Sequence, residues 1–166
     1  NGHCDQLIIE HGASGEGCGM SLLAATDGFG KIAFGDSGDN DIGSIIYNNT
    51  GNSMTFITNA ANALVIDSSG NGTFTGNVTA YSDERLKSDI KTIDNALDKV
   101  SQMRGVSFTK DDKKGSGVIA QELEKIAPEL VTDGEYKSVA YGNIVGYLIE
   151  AIKELKAEVK ELKESK

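Results

Sequence analysis

Val145, Leu148, Ile152, Leu155, Val159 and Leu162 recur at intervals of 3, 4, 3, 4 and 3 residues along the end of the chain. That is an a/d heptad seam, and it predicts one long helix over about residues 142–164. Lys and Glu fill most of the other faces. A helix packed on its own domain also carries an apolar stripe, but a broader one. This stripe is narrow and runs almost to the C-terminus, where little of the same chain remains to cover it. It therefore points to association between chains. Val and Ile at a with Leu at d lean towards a parallel dimer in isolated peptides, and the seam alone does not set the number of strands.

The opposite end reads very differently. Residues 1–80 hold fourteen glycines, no proline, eight acidic residues and one basic residue, Lys31. This half thus carries about seven of the nine net negative charges, and residues 81–166 are nearly balanced. Short apolar or alternating runs occur at 6–9, 20–25, 31–34, 44–47, 54–58, 63–66 and 73–75. Gly, Asn, Asp and Ser clusters separate them, as turns separate strands. Asn71-Gly72 favours a tight hairpin turn. Large apolar residues are too sparse for a single copy to bury enough surface against its chain entropy. Residues 1–81 therefore read as an all-β, β-helix-like segment of an intertwined oligomer or fibre. Asn48, Asn71 and Asn77 open N-glycosylation patterns but read as ordinary turn and strand residues.

Several function classes are disfavoured. Neither half offers a basic stripe for phosphate contacts, which argues against a nucleic-acid partner. No apolar run is long enough to cross a membrane and no signal-peptide pattern is present. The first residue is Asn1, which fits a fragment of a longer chain. His3, Cys4, His11 and Cys18 lie close together, but their spacing lacks the short paired ligands of a zinc site. Free cysteines in a protein assembled in the cytosol are the better reading, with no metal and no cofactor expected.

Between the halves, residues 88–140 alternate in character. A strand is expected over 89–92 and a short helix capped by Asp94, with Ile93, Leu97 and Val100 on one face. A strand over 105–110, a polar turn over 111–115, an extended run over 117–120, a helix over 121–126 ended near Pro128, and a strand over 135–140 follow.

The sharpest local feature is Ser82-Asp83-Glu84-Arg85-Leu86-Lys87, set on the compositional break. A serine on a boundary with a lysine five residues on is what a self-cleaving junction needs, because a neutral lysine can take the serine proton. The plain alternative is a helix N-cap at Ser82 with Arg85 and Lys87 as solvated charges.

That motif, then Gly117-Val118-Ile119-Ala120-Gln121-Glu122-Leu123, Pro128, Tyr141 and the leucine-rich terminal helix occur in order. Together they closely resemble the C-terminal intramolecular chaperone domain of phage tail fibres, tailspikes and endosialidases, a family of self-cleaving serine peptidases. The resemblance covers about residues 81–166, and the preceding half resembles the β-rich distal part of a phage fibre. It implies an α+β chaperone domain over 82–166 whose terminal helix forms a trimeric coiled coil. The homotrimer aligns the fibre segment 1–81, assembled in the host cytoplasm and left on the virion tail. The chaperone part is then released. It also implies Ser82 as nucleophile, Lys87 as base and Tyr81–Ser82 as the scissile bond. Two departures stand out: Gly142 follows Tyr141 where Asp is common, and the loop between Ser107 and Gly117 is short.

The implied chemistry is coherent. Ser82 attacks the Tyr81 carbonyl, the acyl group moves from nitrogen to oxygen, and water hydrolyses the ester. Lowering a lysine from about 10.4 to about 7 costs roughly 4–5 kcal/mol, which burial can supply. Burial achieved only in the oligomer would tie cutting to assembly. Asp83 and Glu84 would oppose a neutral amine, so they are expected to face elsewhere. Two other functions compete. One is a non-enzymatic fibre or adhesin tip with a permanent coiled-coil clamp, in which the N-terminal part meets a host cell-surface receptor or polysaccharide. The other is carbohydrate hydrolysis by a carboxylate pair among Asp36, Asp39 and Asp41, which spacing alone does not support.

Overall fold

The computed structural model describes residues 19–165. His3, Cys4, His11, Cys18 and the strand expected over 6–9 lie outside the described residues. The chain divides into two compact units, Asn1–Ser82 and Asp83–Lys166.

In the first unit, β1 (Phe29–Phe34), β2 (Gly43–Asn48), β3 (Ser53–Thr58), β4 (Ala61–Ile66) and β5 (Gly72–Phe74) form one antiparallel meander in that order. Strands fall at five of the expected runs. The run at 20–25 is irregular instead. The β4–β5 turn is not centred on Asn71-Gly72. Asp67 builds it, its carboxylate accepting from the amides of Ser69 and Asn71, with Gly70 at φ 79°. Gly72 is already the first residue of β5.

The pairing register sorts the sheet into unlike faces, because residues directly opposite share a face. Ile32, Ile45, Phe56, Leu64 and Phe74 line up as one row across all five strands. Tyr47, Met54 and Ile66 continue that face between Gly30 and Gly72. The row on the reverse face is Lys31, Ile46, Thr55, Val65 and Thr73. Within this unit no helix or second sheet covers the apolar face among the described residues. Leu22 lines a hollow on it with Ile32, Ile45, Tyr47 and Met54. Ile32, Phe34, Tyr47 and Phe74 remain exposed.

The second unit is α+β. It holds α1 (Ala96–Gln102), the hairpin β6 (Val106–Lys110) and β7 (Lys113–Gly117), α2 (Ala120–Leu123), the pair β8 (Val131–Thr132) and β9 (Ser138–Val139), and α3 (Ile144–Glu164). Residues 89–92 form no strand. The expected polar turn over 111–115 shrinks to Asp111-Asp112, both at positive φ, and Lys113 already starts β7. That two-residue turn accounts for the short loop. Leu123, Ala127, Leu130 and Tyr147 are the buried core, with Ile93, Val100, Met103, Val118, Val131, Val139 and Ile144 packed around it.

The long helix has two apolar stripes, not one. Ile144, Tyr147, Ala151 and Glu154 repeat at 3, 4 and 3 and turn towards their own domain, where Tyr147 and Ala151 are buried. The Tyr147 hydroxyl donates to Glu129, and Lys99 sits 5.6 Å from its ring centroid. Burial and the Glu129 carboxylate push the Tyr147 hydroxyl up to about 12. Glu154 supplies the missing cap of α1. Asn95, not Asp94, precedes that helix, at φ 52° and without a side-chain cap. The Glu154 carboxylate instead accepts from the amides of Ala96 at 3.0 Å and Leu97 at 2.7 Å. These bonds hold its carboxyl below the usual glutamate range. They satisfy amides that a helix N-terminus otherwise leaves open.

Val145, Leu148, Ile152, Leu155, Val159 and Leu162 are all exposed, at 41–65% of their surface. No helix among the described residues is long and apolar enough to cross a membrane.

Candidate functional site

The junction is built from a short structured turn after an irregular run. Residues 75–83 carry neither helix nor strand. Tyr81 is 96% exposed, and Ser82 beside it is exposed too. Glu84–Leu86 then makes one 3-10 turn. Its cap is Asp83, not Ser82, so the N-cap role proposed for the serine belongs to its neighbour. Asp83 Oδ1 accepts from the Arg85 amide at 2.9 Å. The Arg85 guanidinium closes on the same carboxylate in a fork, Nε to Oδ1 at 2.9 Å and a terminal nitrogen to Oδ2 at 2.7 Å. The side-chain bond to Arg85 holds the Asp83 carboxyl below its ordinary range. The Asp and the Arg of the motif thus have a structural job. Lys87 ends the turn in extended conformation, its amide donating to the Glu84 carbonyl at 3.0 Å, and its side chain is exposed in the single chain.

The second motif turns out to be a packing device. The Tyr141 hydroxyl accepts from the Val118 amide at 3.4 Å and lies against Gly117, where a Cβ would approach it to 2.5 Å. Gly115 faces the Phe108 ring across β6–β7, at 2.8 Å from an added Cβ. Glu122 forks with Arg104, with Nε to Oε2 at 3.0 Å. Leu123 enters the core and Pro128 opens a 3-10 turn. Gly142, in the 3-10 turn Tyr141–Asn143, faces open space. Sequence reasoning missed Glu154, because its 3-4-3 spacing from Ile144, Tyr147 and Ala151 ends on a charged residue that does not read as part of a packed stripe.

Two carboxylates of the acidic loop are held by donors within the loop and its neighbouring strand. Asp36 accepts from the amides of Gly38 and Asp39, which hold it below the usual carboxylate range. Asp41 pairs with Lys31, which does the same. A glycosidase acid needs the opposite shift. No cluster of metal-ligating residues occurs among the described residues.

The second unit is thus a small α+β domain that holds one apolar stripe of its last helix and leaves the other bare. Residues 82–132 match the peptidase S74 family, described as chaperone of endosialidase. Among curated proteins, the long tail fiber protein Gp37 of Enterobacteria phage K3 is 41% identical over 99 residues, 52% of this chain and 8% of that one. Gp37 of Enterobacteria phage Ox2 is 37% identical over 110 residues, 58% of this chain and 43% of that one. Gp37 of Salmonella phage S16 is 29% identical over 82% of this chain and 23% of its own. The chain therefore spans less than half the length of each of these relatives. A solved carboxy-terminal domain of the bacteriophage T5 L-shaped tail fiber with its intra-molecular chaperone domain aligns over 96% of this chain and 60% of its own. Its TM-score is 0.39 at 10% identity, too low to establish a common fold. The chain is thus similar to chaperones of endosialidase over residues 82–132 and to the phage long tail fiber protein Gp37 over somewhat more than half its length.

Proposed function

We propose that this chain is the C-terminal part of a phage tail fibre or tailspike. Its chaperone unit drives homotrimer assembly and then releases itself by cutting between Tyr81 and Ser82. The observation that carries this reading is the family match beginning at Ser82, next to an exposed, irregular stretch of chain. Two uncovered apolar surfaces support self-association, one in each unit: the sheet face and the α3 seam. Burying both between copies gives a chain with a small core the apolar contact it lacks.

In the cut, Ser82 Oγ bonds to the Tyr81 carbonyl carbon and the Tyr81–Ser82 C–N bond breaks. Lys87 takes the Oγ proton and returns one to the departing Ser82 nitrogen. Water then hydrolyses the Tyr81 ester, restoring the hydroxyl. Lys87 is exposed in the single chain, so the burial this step calls for has to come from neighbouring copies. Cutting then follows assembly. The fibre part stays on the virion tail, where it meets a host receptor or polysaccharide, and the chaperone part leaves.

A denaturing gel and N-terminal sequencing test this. Two fragments are expected, the C-terminal one starting Ser82-Asp83-Glu84. A different start would move the nucleophile. A single band after long incubation would favour the second reading, a fibre tip with a permanent clamp. The exposure of Lys87 in the lone chain is the observation on that side.

A further inference from the structure

We propose that Glu158 of one copy pairs with Lys163 of the next across the assembled seam, fixing it as a parallel, in-register bundle. This rests on the reading that copies of the same chain cover the seam. With Val145, Ile152 and Val159 at a and Leu148, Leu155 and Leu162 at d, Ile149, Lys156 and Lys163 fall at e. Ile144, Ala151 and Glu158 fall at g. In a parallel bundle each g residue faces the e residue of the next helix about five positions on. Glu158 therefore meets Lys163, whereas Ala151, also at g, is buried against its own domain. In an antiparallel pair e faces e, which sets lysines against lysines.

Charges elsewhere on the helix support the same assignment. Lys153 pairs with Glu150, and Lys160 with Glu164, inside the helix. Among the described residues, Glu158 and Lys163 make no ion pair within the chain, and both are exposed. Lys156 and Lys163, both at e, lie on the same side of α3 as Val159. That positive edge of the seam suits an acidic side chain, and Glu158 of a second copy supplies one.

The test uses the full chain carrying Ser82→Ala, so that both halves stay joined. Glu158→Lys and Lys163→Glu are made singly and together. Each single reversal is expected to raise the concentration at half-assembly about ten-fold, since every interchain pair becomes a like-charge contact. The double reversal is expected to return it to within about two-fold of the parent. The single defects shrink at high salt. Circular dichroism checks that the helix is kept, since neither side chain packs on the domain. Zero-length carbodiimide treatment of mixed 15N-labelled and unlabelled chains is expected to join Glu158 of one to Lys163 of the other. An assembled protein indifferent to both reversals, or lacking that cross-link, overturns the pairing and leaves assembly standing. An antiparallel bundle would lack the cross-link and be strengthened by Lys163→Glu, and a seam covered by an acidic segment of another protein would lack the cross-link too; either result overturns the pairing. A parent chain that stays monomeric at every concentration overturns the assembly reading and this pairing with it.

Discussion

At the scale of single residues, the junction and the glycine contact make separate demands. Ser82→Ala removes the proposed nucleophile and little volume, so cleavage is expected to vanish while assembly persists. Lys87→Ala is expected to stop cleavage as well, because Lys87 is the proposed base and the Asp83 carboxylate is tied up by Arg85. Both are read on the same denaturing gel, and undiminished cutting in Ser82→Ala would rule out the serine mechanism. Gly117→Ala brings a methyl to 2.5 Å from the Tyr141 hydroxyl, and the ring must swing off the Val118 amide to admit it. A loss of about 1–2 kcal/mol is expected in denaturant unfolding. Adding Tyr141→Phe to that variant should recover part of the loss; a further drop would mean that the hydroxyl is not what the new methyl strikes. Ser82, Lys87, Gly117 and Tyr141 were all legible in the sequence as motif positions. That Asp83 caps the turn and Arg85 clamps Asp83 was not, because Ser and Asp are both good caps and only the folded backbone chooses between them.

Among the elements, α3 matters most. Its inner stripe holds the domain and its outer stripe is free to hold other copies. Glu154 belongs to the inner stripe. Its folded pKa lies below its ordinary value of 4.5, so the stability it contributes is present above that value and is lost as pH falls through the lower, folded one. Glu154→Gln is therefore expected to melt below the parent at neutral pH. The gap should close in acid, where the parent carboxyl is protonated too. Equal melting temperatures at neutral pH would mean the cap is idle. On the outer stripe, Ile152→Asp places an uncompensated charge in the assembled seam. It is expected to leave a folded monomer and, through that, to suppress cleavage. A monomeric variant that cut at the parent rate would break the link between assembly and cutting. The outer stripe was readable because heptad spacing is local. The inner one was hidden because Ala151 and Glu154 do not look like core residues until α1 is laid against them.

For the whole molecule, the expected state is a trimer held through both units. Sedimentation at micromolar concentration reads this directly: a stable monomer would contradict it, and a dimer would favour the intrinsic bias of the coil over the family resemblance. Phe56→Lys sets a charge in the middle of the apolar row of the sheet. It is expected to weaken association of the N-terminal unit without touching α3, and wild-type association would mean that the face is covered in some other way. By itself the sequence determined the features that depend on near neighbours: the seam, the strand runs, the junction motif and the change of character near residue 81. Alternation and heptad spacing survive in any context, because backbone geometry imposes their periods. Only the tertiary structure decided which carboxylate caps α1, which stripe of α3 the domain claims, and how five short strands line up a single apolar row. Each of these joins groups far apart in the chain, as Glu154 and Ala96 are at 58 positions. Such contacts form only when packing brings both partners out of water together, and no local pattern records that.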